Sequence, residues 1–394
     1  MSSTGARSSA QQVLSFLLEQ DEPVTRPQAA LACELSRPTV FAAMGRLVEL
    51  GLVTDVGQRS GLPGRSASLY EVSAEAGLVV GIDIGGSNLR VALADVRGRV
   101  VAEDRRETAE QGGRAVVRQV VDLVRRLAKG QLHGGAPSVV AVSVPGVVDA
   151  DGATVHYAWN IGQPKPFDVR SPLASALHAP VVLENNVNLA AIGEQWQGAA
   201  RDLQTFAVVA VGAGVGAGIV HEGRLLRGAH GAAGEVAFLP LEPGYERMRA
   251  AAPDEAGGLI LLRRAQQRKG WRGGRPPASV ADLFDRAAGG ERVARELVEE
   301  ESRRIAAITA SVCAVVDPST VILTGGVGAN EALAARTAEL VQELAPFPPA
   351  VVRSDLGERA SLVGALALGV RTAQDALVGR AGDGGVTQVS QPRP

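Results

Sequence analysis

Two glycine turns carry the clearest chemistry in this sequence. The first follows an apolar run, Val79-Val80-Gly81-Ile82-Asp83-Ile84, and reads Gly85-Gly86-Ser87-Asn88 before Leu89-Arg90-Val91 resumes a strand pattern. The second spans Phe206–Val220, where Gly212-Ala213-Gly214-Val215-Gly216 divides two apolar runs. Backbone N–H groups gathered at such turns make anion-binding concavities that can cradle a phosphate. A third turn, Thr324-Gly325-Gly326, follows the buried-type run Val321-Ile322-Leu323. A dinucleotide fingerprint would require a helix directly after the turn. Here Ile219-Val220 and the hairpin signal Glu222-Gly223-Arg224 follow instead, and the chain contains no Gly-Lys-Ser/Thr for a Walker-type loop.

The histidines His133, His156, His178, His221 and His230 show no ligand-like spacing. Cys33 and Cys313 are too few for a disulfide framework or a four-cysteine zinc site. No structural metal is expected. Composition sets wider bounds. The 394 residues are 46% hydrophobic and 21% charged with a formal net charge of −2, values that exclude a disordered or fibrous chain. The near-neutral balance gives no sign of a nucleic-acid or membrane partner. No export signal is visible at the start, so a reduced, cytoplasmic setting is expected. The uncharged run Leu203–Val220 reaches membrane-spanning length, but its alternating glycines suit a turn between strands.

Three regions must position these turns. Residues 1–75 read as short helices followed by a hairpin. Val13, Leu14, Leu17 and Leu18 share one helical face, and Thr25 with Gln28 forms a capping box with Pro27 in the first turn. Ser36 can cap a third helix, with Val40, Phe41, Met44, Leu47 and Val48 as its apolar side. Gly51 ends it, and Leu52–Val56 and Ser66–Val72 flank the glycine-rich loop Gly57–Arg65. This order is that of a winged helix-turn-helix. Arg37, Thr39 and Arg46 on the third helix, with Gln58, Arg59 and Arg65 on the wing, suit base edges, phosphates and the minor groove of double-stranded DNA. The competing reading is a helical dimerisation or protein-docking module. Between residues 36 and 70 these four arginines face only Glu49 and Asp55, which favours DNA.

Residues 76–375 alternate apolar runs with amphipathic stretches, the texture of an α/β domain. Residues 376–394, rich in Gly, Gln, Ser and Pro, read as a mobile tail. Two strand–glycine turn–strand units in successive halves match the internal symmetry of a two-lobed actin-like ATPase (ribonuclease H-like) fold.

Over about residues 10–375 the chain resembles the ROK family of repressors and sugar kinases. The resemblance is carried by Gly81–Arg90, Ser143–Val148, Ala158–Ile161, Leu183–Glu194, Val211–Glu235 and Leu323–Asn330. Its most specific part is the run from Gly223 through Arg227 and His230 to Gly234-Glu235. The resemblance implies a sugar-type cleft between two lobes, with Asn160, Asn185, Asn186 and Glu235 around the effector. It also implies a nucleotide site, here vestigial, at Asp83, Gly85, Gly86, Gly212, Gly214 and Gly325.

Three departures from the family pattern predict a regulator. Family kinases carry an Asn-Asp pair after an apolar strand, and here Val181-Val182-Leu183-Glu184 leads to Asn185-Asn186. A neutral amide at 186 can hold a hydroxyl but cannot take its proton. Glu184 could substitute as a base, although a structural role at the strand end is expected. Phe238 stands where zinc-bearing relatives have a histidine, and no cysteine cluster follows. Ser87-Asn88 and Ala213 replace the Thr-Lys and Thr of the phosphate turns. Asp83, which could serve a nucleotide's magnesium or simply tie the first turn, is kept. Trp159 could stack on a sugar ring or fill core. The sequence thus predicts a DNA-binding, carbohydrate-responsive regulator that is not an enzyme, needs no cofactor and acts as a homodimer or homotetramer. An active sugar kinase with an added DNA-binding head is the rival.

Overall fold

A computed structural model describes residues 7–58, 67–109, 112–131, 135–149, 151–158, 165–239 and 257–382. The chain opens with α1 (Ser9–Leu18), β1 (Val24–Thr25), α2 (Arg26–Ala32), α3 (Arg37–Glu49), β2 (Val53–Gln58) and β3 (Ser68–Val72). Capping boxes at Ser8/Gln11 and Thr25/Gln28 start α1 and α2, and the Ser36 side chain accepts from Thr39 N to start α3. The three strands pair in the order β1-β3-β2, which completes a winged helix-turn-helix. The wing tip, including Arg59 and Arg65, lies outside the described residues.

The apolar side of α3 is narrower than its sequence implies. Val40, Met44 and Leu47 are buried, but Val48 is exposed and Phe41 is 60% exposed. Arg26 explains Phe41. Its guanidinium carbon lies 4.2 Å from the Phe41 ring centroid and 4.8 Å from that of Tyr70, so a cation covers the ring where core would have been expected.

The first lobe holds β4 (Leu78–Ile84), β5 (Asn88–Asp95), β6 (Val100–Glu107), α4 (Gly113–Ala128) and β7 (Val139–Val144). A small sheet of β8 (Val147–Val148), β9 (Thr154–His156) and β10 (Phe167–Asp168) follows, then α5 (Arg170–Leu177), β11 (Val181–Asn185) and α6 (Asn186–Gln197). The second lobe holds β12 (Phe206–Val211), β13 (Val215–His221), β14 (Arg224–Leu225), α7 (Gly258–Gln267), α8 (Val280–Ala288) and α9 (Arg292–Val316). It closes with β15 (Thr320–Thr324), α10 (Gly325–Gly328), α11 (Glu331–Leu344), β16 (Ala350–Arg353) and α12 (Ala360–Gly382).

The two five-stranded sheets repeat one design. The first runs β11-β7-β4-β5-β6 and the second β16-β15-β12-β13-β14, and the parallel and antiparallel pairings fall at equivalent places. The internal symmetry expected from the paired glycine turns is therefore a symmetry of topology. The run Leu203–Val220 forms the β12–β13 hairpin.

Two helices stitch the lobes together. The N-terminal part of α6 follows β11 of the first sheet yet packs Val187, Ala190 and Ala191 with Phe206, Val208 and Ile322 of the second. Conversely α12 follows the second sheet and packs on the first, where Leu366 would collide with any side chain at Gly81. The helix with its preceding turn, Gly357–Gly382, is long and apolar enough to cross a membrane, but half of its most apolar stretch is buried as a core helix.

The C-terminal segment needs a correction. Residues 376–382, expected within a mobile tail, continue α12. Leu377 and Ala381 are buried in one core with Val13, Leu14 and Met44 of the head, so apolar contact with the head holds these residues helical. Gln11 Nε2 also donates to Val378 O (3.1 Å). Residues 383–394 lie outside the described set.

Candidate functional site

The parallel strands β4, β7 and β11 end beside one another, and so do β12 and β15. Open α/β sheets bind ligands at the carboxyl ends of their strands. Here the ends of β7, β11, β12 and β15 border a cavity of about 220 Å³ between the lobes. The first lobe contributes Pro145, Gly146, Tyr157, Asn185 and Asn186; the second contributes Gly212, Gly214, Glu235, Phe238, Thr324 and Gly325. Glu358, Ala360 and Ser361 at the start of α12 complete the lining.

Six of the ten residues assigned from the sequence to the effector and nucleotide sites meet here. Asn185, Asn186, Glu235, Gly212, Gly214 and Gly325 all line the cavity. Asp83, Gly85 and Gly86 do not line it, and Asn160 with Trp159 lies outside the described residues.

Asn185 spends its amide on the frame. Its Oδ1 accepts from Val187 N (2.8 Å) and Asn188 N (3.2 Å), capping α6, and its Nδ2 donates to Gly146 O (2.8 Å). Asn186, the first residue of α6, is half-buried against the cavity, and its carbonyl accepts from Ser361 Oγ (2.9 Å). The α6 N-terminus is thus fixed to both the β7–β8 turn and α12, and Asn186 faces the ligand space from a rigid support.

Glu184 has the structural role expected of it. Its Oε1 accepts from Asn185 N and Asn188 Nδ2, both at 2.9 Å, and its Oε2 accepts from Arg227 Nε at 2.7 Å. Arg227 follows β14, so this ion pair ties the first lobe to the second. Its guanidinium side is half exposed, and solvent screening leaves the pair itself little energy. The buried amides are the larger stake. Glu184→Ala is expected to destabilise the fold by about 2 kcal/mol, because Asn188 and the Asn185 N–H lose their acceptor. An unchanged melting temperature would show that these hydrogen bonds are not formed.

Asp83 sits beneath the first glycine turn. Its Oδ1 accepts from Ser143 Oγ (2.8 Å) and its Oδ2 from Arg90 Nη1 (3.4 Å), while Arg90 Nη2 reaches Glu358 at 2.5 Å. Burial pushes the Asp83 carboxyl above its ordinary range, partly offset by the Ser143 hydroxyl and the Arg90 charge. With both oxygens on protein donors, the geometry supports a tie between β4, β5 and β7. Asn88 is also engaged: its Oδ1 accepts from Arg105 Nε (2.9 Å), which brings a cation to the turn that lacks the commoner lysine. Among the described residues no group of three His, Cys, Asp or Glu side chains gathers to hold a metal ion.

Sequence reasoning missed Tyr157. This residue has a left-handed backbone (φ 57°), which is rare for a bulky side chain. It lines the cavity beside Phe238, with ring centroids 6.1 Å apart and planes at 65°. Gly146 permits this: a Cβ there would lie 2.2 Å from His156 O. The glycine was legible, but its pairing with residue 156 across ten positions was not.

On the head, Arg37 and Arg46 are exposed on α3, while Thr39 is half-buried with its hydroxyl 2.7 Å from Ser36 Oγ. Thr39 thus also closes the helix cap through its N–H and hydroxyl.

Comparisons with known proteins agree with this architecture. The ROK family model matches residues 79–372, and the IclR helix-turn-helix domain model matches residues 10–63. The chain is 26% identical over 380 residues to the DNA-binding transcriptional dual regulator NagC of Escherichia coli K12, covering 89% of this chain and 90% of that one. The crystal structure of a ROK family transcriptional regulator, a homolog of the E. coli MLC protein, aligns with a TM-score of 0.75. That alignment covers 95% of this chain and 98% of that one at 20% identity, which establishes the shared fold. The ROK hexokinase of Thermus thermophilus aligns at TM-score 0.62 and 29% identity, covering 76% of this chain and 99% of its own. The chain belongs to the ROK family and carries an IclR-type helix-turn-helix at its N terminus.

Proposed function

We propose that this protein is a DNA-binding transcriptional regulator whose interlobe cavity holds a sugar-like effector that it does not phosphorylate. The observation that carries the reading is the course of α12. Its first residues, Ala360 and Ser361, line the cavity, and its last turns share a core with α1 and α3 of the head. A ligand that changes lobe closure moves one end of this helix, and the DNA-reading element rests on the other. For such a shift the ligand must bind the two arrangements unequally. On this reading residues 1–75 form the DNA-binding head, residues 76–375 form the effector domain, and the protein acts in the cytoplasm. A homodimer or homotetramer fits, since helix-turn-helix proteins read half-sites about one helical turn apart.

The test joins two measurements on the full chain. A sugar that raises the melting temperature should also change retention of DNA from the promoter it controls. At ~100 times its dissociation constant, a ligand adds about 2.7 kcal/mol of stability. Stabilisation by a sugar without any change in DNA retention would show a cavity uncoupled from the head, and no stabilisation by any sugar would reduce the cavity to a vestige.

Loss of catalysis rests on Asn186. A positioned general base contributes ~10²–10⁴-fold, and an amide offers none of it. Incubation with ATP, magnesium and hexoses is expected to give no sugar phosphate. Turnover that disappears in Asp83→Ala would overturn this and identify a kinase.

A further inference from the structure

We propose that the effector is a glycoside rather than a free sugar, with its hydroxyls on Asn186 and Glu235 and its aglycone against Tyr157 and Phe238. The inference rests on the effector reading above and adds the chemical class of the ligand.

The cavity is divided by polarity and depth. Asn186 and Glu235 are half-buried and supply an amide and a carboxylate, groups that hold hydroxyls. Tyr157 and Phe238 also line it but remain 53% and 40% exposed, so they stand at the mouth. A ligand whose hydroxyls reach the deeper pair presents its outward substituent to the two rings. Their edge-on packing makes a continuous apolar wall. A bare anomeric hydroxyl facing the two rings would gain no contact from their carbon faces and only the Tyr157 phenol as a polar neighbour. An alkyl or aryl aglycone would instead bury apolar surface.

The wall is built rather than incidental. Tyr157 is held in an unfavourable left-handed conformation, and Gly146 leaves room for the backbone that carries it. Gly146 is in turn gripped by the Asn185 amide. Strained residues of this kind mark ligand clamps when the surroundings fix them. Asn185 thus positions both the α6 N-terminus and the aromatic wall.

Isothermal titration of the full chain tests the proposal with D-glucose, N-acetyl-D-glucosamine and D-xylose, each as free sugar, methyl glycoside and phenyl glycoside. For the sugar that binds, the phenyl glycoside is expected to bind about tenfold tighter than the free sugar. Phe238→Ala and Tyr157→Ala should each abolish most of that preference, weakening the phenyl glycoside severalfold more than the free sugar. Phe238→His, which restores a hydrogen-bonding group, should shift preference back toward the free sugar. A free sugar that binds as tightly as its phenyl glycoside overturns the proposal but leaves the effector reading standing. So does a preference that survives removal of both rings. Failure of every member to bind overturns both.

Discussion

Gly364→Ala is expected to cost about 3 kcal/mol or more and to lower the melting temperature by several degrees. A Cβ on Gly364 would lie 1.8 Å from Leu189 O and 2.5 Å from Leu189 C. The obstacle is the backbone of α6, so no side-chain rotation can relieve it. The reciprocal approach is equally tight, because a Cβ on Gly193 would stand 2.4 Å from Ala360 O. Glycine within α12 itself costs about 1 kcal/mol relative to alanine, and close approach of the two helices offsets that cost. Overpacking in a well-filled core typically costs ~1–3 kcal/mol, and direct collision with backbone belongs at or above the top of that range. Gly379 supplies the control, since a Cβ there meets nothing within 4 Å. Gly379→Ala should be neutral or slightly stabilising. Thermal unfolding of both variants checks the argument, and a Gly364→Ala protein as stable as the parent would show that α6 and α12 do not touch here.

The same seam explains what the sequence could and could not reveal. Caps, turns and strand alternation are local: Thr25/Gln28, Ser36/Thr39 and the glycine turns all form where their spacing places them. The repeated strand order followed from two similar local signals. The outer ring of α3 did not follow, because Phe41 is covered by Arg26 of a different helix. The helical course of residues 376–382 was readable in part. Val370, Ala373, Leu377 and Ala381 keep a helical spacing, but the partners of that stripe, Val79 and Val139 of the first lobe and Val13 and Leu14 of the head, lie far away in sequence. Resemblance places Asn185 beside the effector, and it does line the cavity. Its bonds to Gly146, Val187 and Asn188 nonetheless depend on a loop about forty residues away as well as on its own helix. Long-range pairings of this sort leave no periodic trace in a single sequence.

Replacing Arg37 and Arg65 together by alanine is expected to weaken promoter DNA binding by about 2–6 kcal/mol, since one good base contact is worth ~1–3 kcal/mol. Arg37 occupies the first turn of α3 and is exposed, so its removal should leave the head folded. Arg65, read from the sequence as part of the wing loop, carries a charge that suits a minor groove. Fluorescence anisotropy over a range of salt concentrations separates the two modes of recognition. An arginine that neutralises a phosphate lowers the salt slope by about one when it is removed, whereas an arginine that reads a base relaxes sequence preference at unchanged slope. The exposed apolar residues Leu31, Phe41 and Leu50 give the competing reading its own surface on the same head. If the double variant keeps full affinity and an unaltered slope, the head meets DNA elsewhere or docks on protein, and α3 forfeits its assignment as the reading helix.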